Sequence, residues 1–154
     1  MRRRPASTAL VLLLALASGC GADAPAGPDA ACTSSPDVIE RALGRAPSPV
    51  TLDGGARLSD CVALARSDAQ LQNAGAVLTR TADELAARAQ TGDAKAALAL
   101  GYLVGAARRG AARTAGLQAQ LQRRVEGAAA FVGEGGPAVS AALRRGLRAG
   151  EATG

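Results

Sequence analysis

Between Ser59 and about Ala130 the apolar positions follow helical periods. Leu64, Leu71, Leu78 and Leu85 recur every seven residues, with Cys61, Asp68, Gly75 and Ala82 three places before them. Further on, Leu100, Leu103, Ala107, Gly110, Thr114, Leu117 and Leu121 alternate in steps of three and four. Such spacing holds a narrow stripe on one side of a helix, the seam against which a partner helix packs. Thr91-Gly92-Asp93 interrupts the pattern: Gly92 can end one helix and Asp93 can cap the next. The pattern predicts one helix from Ser59, as N-cap, to about Gln90 and a second from Asp93 to about Gly133. A turn this short folds the two back as an antiparallel hairpin.

Shorter elements flank this pair. Ser35-Pro36 is a helix start, with proline at the first helical position, and predicts a short helix from Pro36 to about Leu43. Gly44, Pro47 and Pro49 stop it. Asp53-Gly54-Gly55 lies between two short apolar pieces and reads as a turn or a very small β-hairpin. Asp53 lacks the further acids that a calcium loop needs. After the break Gly133–Gly136, Pro137 opens a last amphipathic helix to about Ala149, and Gly150–Gly154 is expected to fray. The expected fold class is all-α: a long antiparallel helical hairpin with a short helix before and after it.

Composition narrows the kind of core. The chain has 154 residues, is 48% hydrophobic, and has only Tyr102 and Phe131 as aromatics. Large apolar side chains are scarce, so close contact between alanine- and glycine-lined helices is expected instead of a thick core. Gly101-x-x-x-Gly105, within the apolar stretch Ala96–Ala107, belongs to such a contact, since twelve residues cannot span a bilayer. Gly75 and Gly110 fall at seam positions near one level of the hairpin. Asp68 either pairs with Arg113 across the hairpin or lies exposed at the seam's edge.

No histidine is present. That excludes Ser-His-Asp and Cys-His nucleophiles and any histidine-containing zinc site within this chain. No catalytic residue, metal site or cofactor is assigned, and Tyr102 reads as a buried packing residue with one hydrogen bond.

The N-terminus carries an address. Arg2-Arg3-Arg4 precede an apolar run through Leu10–Leu14 and then Ala17-Ser18-Gly19-Cys20, which together make a secretory signal. The ending resembles the lipobox of bacterial lipoproteins, with Ala17 in place of the more usual leucine. That resemblance covers the first 20 residues only. It implies acylation of Cys20 after removal of residues 1–19, leaving residues 20–35 as a flexible tether ahead of a helical domain over 36–149 and a disordered tail over 150–154. Ordinary cleavage after Ala17 or Ala24 would instead release a soluble secreted protein. With Cys20 acylated, Cys32 and Cys61 remain as an even pair in an oxidising compartment, which favours a disulfide.

Charge is unevenly placed. Residues 21–94 hold six arginines and ten acids, whereas residues 95–154 hold nine basic groups and three acids. Lys95, Arg109, Arg113 and Arg124 fall on one side of the second long helix. They either present a surface to anionic lipid or wall polymer or pair with acids of the first helix. Nucleic acid is not an expected partner, because aromatic interleaving and DNA-reading motifs are lacking. The expected function is a non-enzymatic binding or structural module, lipid-anchored at the outer face of the cell membrane. The alternatives are a soluble secreted helical protein, or a helical-bundle oligomer that partners another envelope protein.

Overall fold

The computed structural model describes residues 30–154 apart from Ala115 and Leu117. The expected signal segment, Cys20 and most of the expected tether lie outside the described residues. Six α-helices follow: α1 (Pro36–Leu43), α2 (Leu58–Ala63), α3 (Asp68–Gln90), α4 (Ala94–Ala112), α5 (Gln118–Ala129) and α6 (Pro137–Thr153). The all-α class is as expected. Thr51 and Arg57 form one isolated antiparallel bridge around the Asp53–Gly55 turn, the whole extent of the expected small hairpin.

Each expected long helix is two helices. The first breaks between Ala63 and Asp68, so Ser59 is not a cap but lies buried inside α2. Ser67-Asp68-Ala69-Gln70 is the reason. Ser67 Oγ accepts from the Gln70 amide at 3.3 Å, while Gln70 Oε1 accepts from the Arg66 amide at 2.9 Å. That reciprocal arrangement closely resembles a capping box and starts a new helix at Asp68. Gln118 fills the gap from the other side, donating from Nε2 to the Ala65 carbonyl at 2.8 Å. The second long helix ends at Ala112, where the chain turns through Gly116 at φ +116° before α5 begins. A side chain rarely adopts that φ, so glycine is what permits the turn.

The turn between α3 and α4 falls where it was expected. Gly92 has φ +99°, and Asp93 caps α4 by accepting from the Lys95 and Ala96 amides at 2.9 and 3.1 Å. The two helices pack on each other, compatible with the expected hairpin. The core is nevertheless not a thin seam. Helix α4 runs through the middle of the molecule, touched by α2, α3, α5 and, most extensively, α6. Every residue from Ala99 to Ala107 is buried. A helix that is apolar all round must be surrounded, and this one is.

Contact between α4 and α6 is made backbone to backbone. A Cβ added at Gly101 would lie 2.1 Å from the Leu143 carbonyl oxygen, and one at Gly105 would lie 2.2 Å from that of Leu147. From the other side, a Cβ on Gly146 would lie 2.0 Å from the Leu98 oxygen, and one on Gly150 would lie 2.1 Å from the Tyr102 oxygen. Residue numbers rise together along both helices, so α4 and α6 run parallel. The close packing expected of Gly101 and Gly105 is present, but its partner is α6 and not the other arm of the hairpin. Gly110 likewise sits under α2, its added Cβ 2.4 Å from the Ser59 oxygen, whereas Gly75 meets only Leu121 Cδ1 at 3.3 Å. The two glycines do not face each other.

Residues 150–154 do not fray. Helix α6 extends to Thr153, and Gly150 and Gly154 are buried. At the other end, Ala30–Thr33 forms a 3-10 turn with Ala31 and Cys32 buried, so the expected tether is structured over its last residues. Cys32 and Cys61 form a disulfide with Cα atoms 5.3 Å apart, fastening that turn to α2.

Candidate interaction surface

The four basic residues singled out by helical spacing do not form one free surface. Arg113 Nη1 donates to Asp60 Oδ1 at 2.8 Å, tying the end of α4 to α2. Asp68, the other partner considered for Arg113, is exposed at the first position of α3. Arg109 Nη1 donates to the carbonyls of Glu151 and Ala152 at 2.9 and 3.0 Å. Those oxygens lie in the last turn of α6, where unpaired carbonyls carry the negative end of the helix dipole, so a cation there is favoured. Lys95 and Arg124 are exposed and their side chains have no partner among the described residues. Lys95 belongs to the first turn of α4, while Arg124 lies on α5 beside a shallow groove that Asp83 also lines.

Arg108, not singled out from the sequence, organises the strongest ionic cluster. Its Nε donates to Glu126 Oε1 at 2.6 Å and its Nη1 donates to Glu151 Oε1 at 3.2 Å, joining α4, α5 and α6. Gln122 Nε2 adds a second bond to Glu126 Oε1 at 3.1 Å. Partial burial works against the charge on Glu126, but the bonds from Arg108 and Gln122 outweigh it and hold the carboxyl below its ordinary value. The bond to Glu126 raises the Arg108 guanidinium in turn, against partial desolvation.

The hydroxyls are likewise engaged. Tyr102 is fully buried, and its oxygen accepts from the Val50 amide at 2.9 Å and lies 2.9 Å from Thr153 Oγ1. Thr153 Oγ1 donates to the Ala149 carbonyl, so the proton between Tyr102 and Thr153 belongs to the tyrosine. The tyrosine thus has two hydrogen bonds where one was expected. Ser59 Oγ donates to the Gly154 carbonyl at 2.6 Å. A buried polar atom left unpaired is costly, and these bonds, with that of Thr81 Oγ1 to the Val77 carbonyl at 2.9 Å, account for the buried hydroxyls.

Three further free cations lie together on α6. Arg144, Arg145 and Arg148 are exposed and make no hydrogen bond or ion pair among the described residues. Sequence reading recognised this helix by its apolar side, and its arginines went unremarked. Their signal was the i, i+1, i+4 spacing that places basic groups opposite Val139, Ala142 and Gly146. Two hollows complete the relief. A cleft of about 490 Å³ opens at the α2–α3 break, lined by Leu64, Arg66, Leu71, Arg113 and Gln118 among others. A groove of about 210 Å³ between α4, α5 and α6 is lined by Val104, Ala129, Ala130, Leu143 and Leu147, with Arg108 and Glu126 also lining it.

Comparison of the chain with protein-family models, curated proteins and solved structures finds no match. Among the described residues no cluster of His, Cys, Asp or Glu could hold a metal ion, and no helix is long and apolar enough to cross a membrane.

Proposed function

We propose that this chain is an exported lipoprotein whose helical domain serves as a non-enzymatic binding or structural module at the cell envelope. The observation that carries the reading is the pairing of Cys32 with Cys61. Disulfides persist in oxidising compartments, which agrees with the N-terminal export signal. The pairing also uses both cysteines beyond Cys20, leaving Cys20 as the one thiol for acylation. Support for a non-enzymatic role comes from the engagement of groups that could otherwise act on a substrate: the Tyr102 and Ser59 hydroxyls and the Arg108–Glu126 pair are held by intramolecular bonds.

Detergent-phase partitioning of membranes from expressing cells tests the address. The wild-type chain is expected in the detergent phase with acylated Cys20 as its first residue. Cys20→Ala is expected to shift it to the aqueous phase or to leave an unprocessed precursor. Wild-type protein recovered in the medium with Pro25 at its N-terminus would refute the reading.

A further inference from the structure

We propose that the outer face of α6, with Phe131 beside it, docks the domain onto an anionic phospholipid surface. Arg144, Arg145 and Arg148 all point away from α4, because the opposite side of α6 is fixed against it by Gly146 and Gly150. All three are exposed and unpaired among the described residues. Glu151 is already held by Arg108 at 3.2 Å, which leaves Glu134 as the unpaired acid near this side. The face is therefore net positive, and arginine forks suit phosphate oxygens.

Phe131 supplies the apolar component. It is 65% exposed, the exposed large hydrophobic side chain of the described residues. It follows Ala130, which lines the same groove as Leu143 and Leu147 of α6. Ser140 Oγ donates to the Gly133 carbonyl at 3.0 Å, fixing the turn after Phe131 to α6 one turn before Arg144. An exposed aromatic side chain in the turn fastened to α6, together with unpaired arginines and partly exposed leucines along that helix, matches the headgroup region, where apolar and charged contacts are available together. A purely soluble polyanion would use the arginines but would leave the ring in water. The inference deepens the envelope reading above by naming a surface and a partner for it.

The chain has no tryptophan, so Phe131→Trp in the full chain places one fluorescent reporter at the docking point. On phosphatidylglycerol-containing vesicles at low salt, its emission is expected to move to shorter wavelength. On pure phosphatidylcholine it is expected to stay put, which separates docking from any anchoring at Cys20. The shift is expected to vanish at 1 M salt, where the screening length falls to about 3 Å. Changing Arg144, Arg145 and Arg148 together to Gln is expected to raise the anionic lipid needed on the order of 100-fold, at the usual contribution per basic residue near such a surface. Because the three side chains are exposed, the melting temperature should not change.

An absent shift on anionic vesicles would overturn the proposal, as would an equal shift on neutral ones. A shift that survives the triple substitution would overturn the assignment to α6. Binding of polyphosphate without any vesicle shift would replace the membrane by a soluble anionic polymer. Detergent partitioning of the unsubstituted chain reads the anchor separately, so failure of one reading is distinguishable from failure of the other.

Discussion

Helix α4 has two differently built sides. Toward α3 and α5 it meets side chains: Leu78, Leu85, Leu121 and Val125 are all buried there. Toward α6 it meets backbone, through Gly101 and Gly105 on one helix and Gly146 and Gly150 on the other. Burying leucine removes apolar area from water, and its loss leaves a cavity. Stacking glycines brings two backbones close enough for many weak dispersion contacts, and any added atom forces them apart. A chain with one buried tyrosine, an exposed phenylalanine and no tryptophan uses both devices around a single helix. One side is therefore vulnerable to removal of atoms and the other to their addition.

Alanine substitutions separate the two most sharply. Gly146→Ala places its Cβ 2.0 Å from the Leu98 oxygen, a backbone atom that can move only if the helix moves. The expected loss is about 3 kcal/mol or more, at the upper end of overpacking costs, read from denaturant midpoints. Leu78→Ala, on the fully buried leucine side, is expected to cost about 3 kcal/mol by leaving a cavity. Equal tolerance of Gly146→Ala and an exposed alanine substitution would show that the helices are not in backbone contact.

Gly75→Ala sharpens the contrast. It changes a glycine on the seam, yet its new methyl meets only the mobile end of Leu121 at 3.3 Å. Alanine gains about 1 kcal/mol of helix propensity over glycine. The expected net effect is within about 1 kcal/mol of zero, and a loss as large as that at Gly146 would mean the α3–α5 contact is also made by backbone.

The smallest effect comes from the ionic cluster. Glu126 is held below its ordinary value by the hydrogen bonds that outweigh its partial burial. A carboxyl depressed in the folded state contributes stability above its unfolded pKa and loses it as pH falls through the folded value. Between neutral pH and the acid side of the ordinary carboxylate range, the wild type should therefore lose more stability than Glu126→Gln does. The difference is about 1 kcal/mol or less, because Arg108 is 41% exposed. Identical pH profiles for the two would show that the cluster adds nothing.

Local signals carried well into the structure where chemistry at one position decides the matter. Pro36 marks the start of α1, Thr91-Gly92-Asp93 marks the α3–α4 turn, and parity picked out Cys32 with Cys61. The missed features were of two kinds. The break at Ser67 was readable, since Ser67 and Gln70 stand at capping-box spacing, but the leucine heptad ran through it and was given precedence. The partner of Gly101 and Gly105 was not readable from their neighbourhood, because a seam specifies a face and not the helix that covers it. Gly146, Gly150 and Gly154 repeat the same four-residue spacing, the one clue that two such faces belong together. The unbroken apolar run Ala96–Ala107 was itself inconsistent with a one-sided seam. On the candidate surface, spacing placed Arg109 on α4 and Arg113 at its C-terminal end but could not show that α6 and α2 would engage them.

The parallel pairing of α4 with α6 also sets an order of assembly. Gly101 and Leu143 meet across forty-two positions of chain, with α5 and the Phe131–Gly136 turn intervening. The middle helix can collapse early against α3, its neighbour across a three-residue turn, and only later against α6. Until that last helix docks, a smooth strip of bare backbone and small apolar groups stays open to water on α4. A chain folding in that order would thus pass through a state in which its most buried segment is half uncovered, the kind of intermediate that aggregates unless closure is quick or assisted.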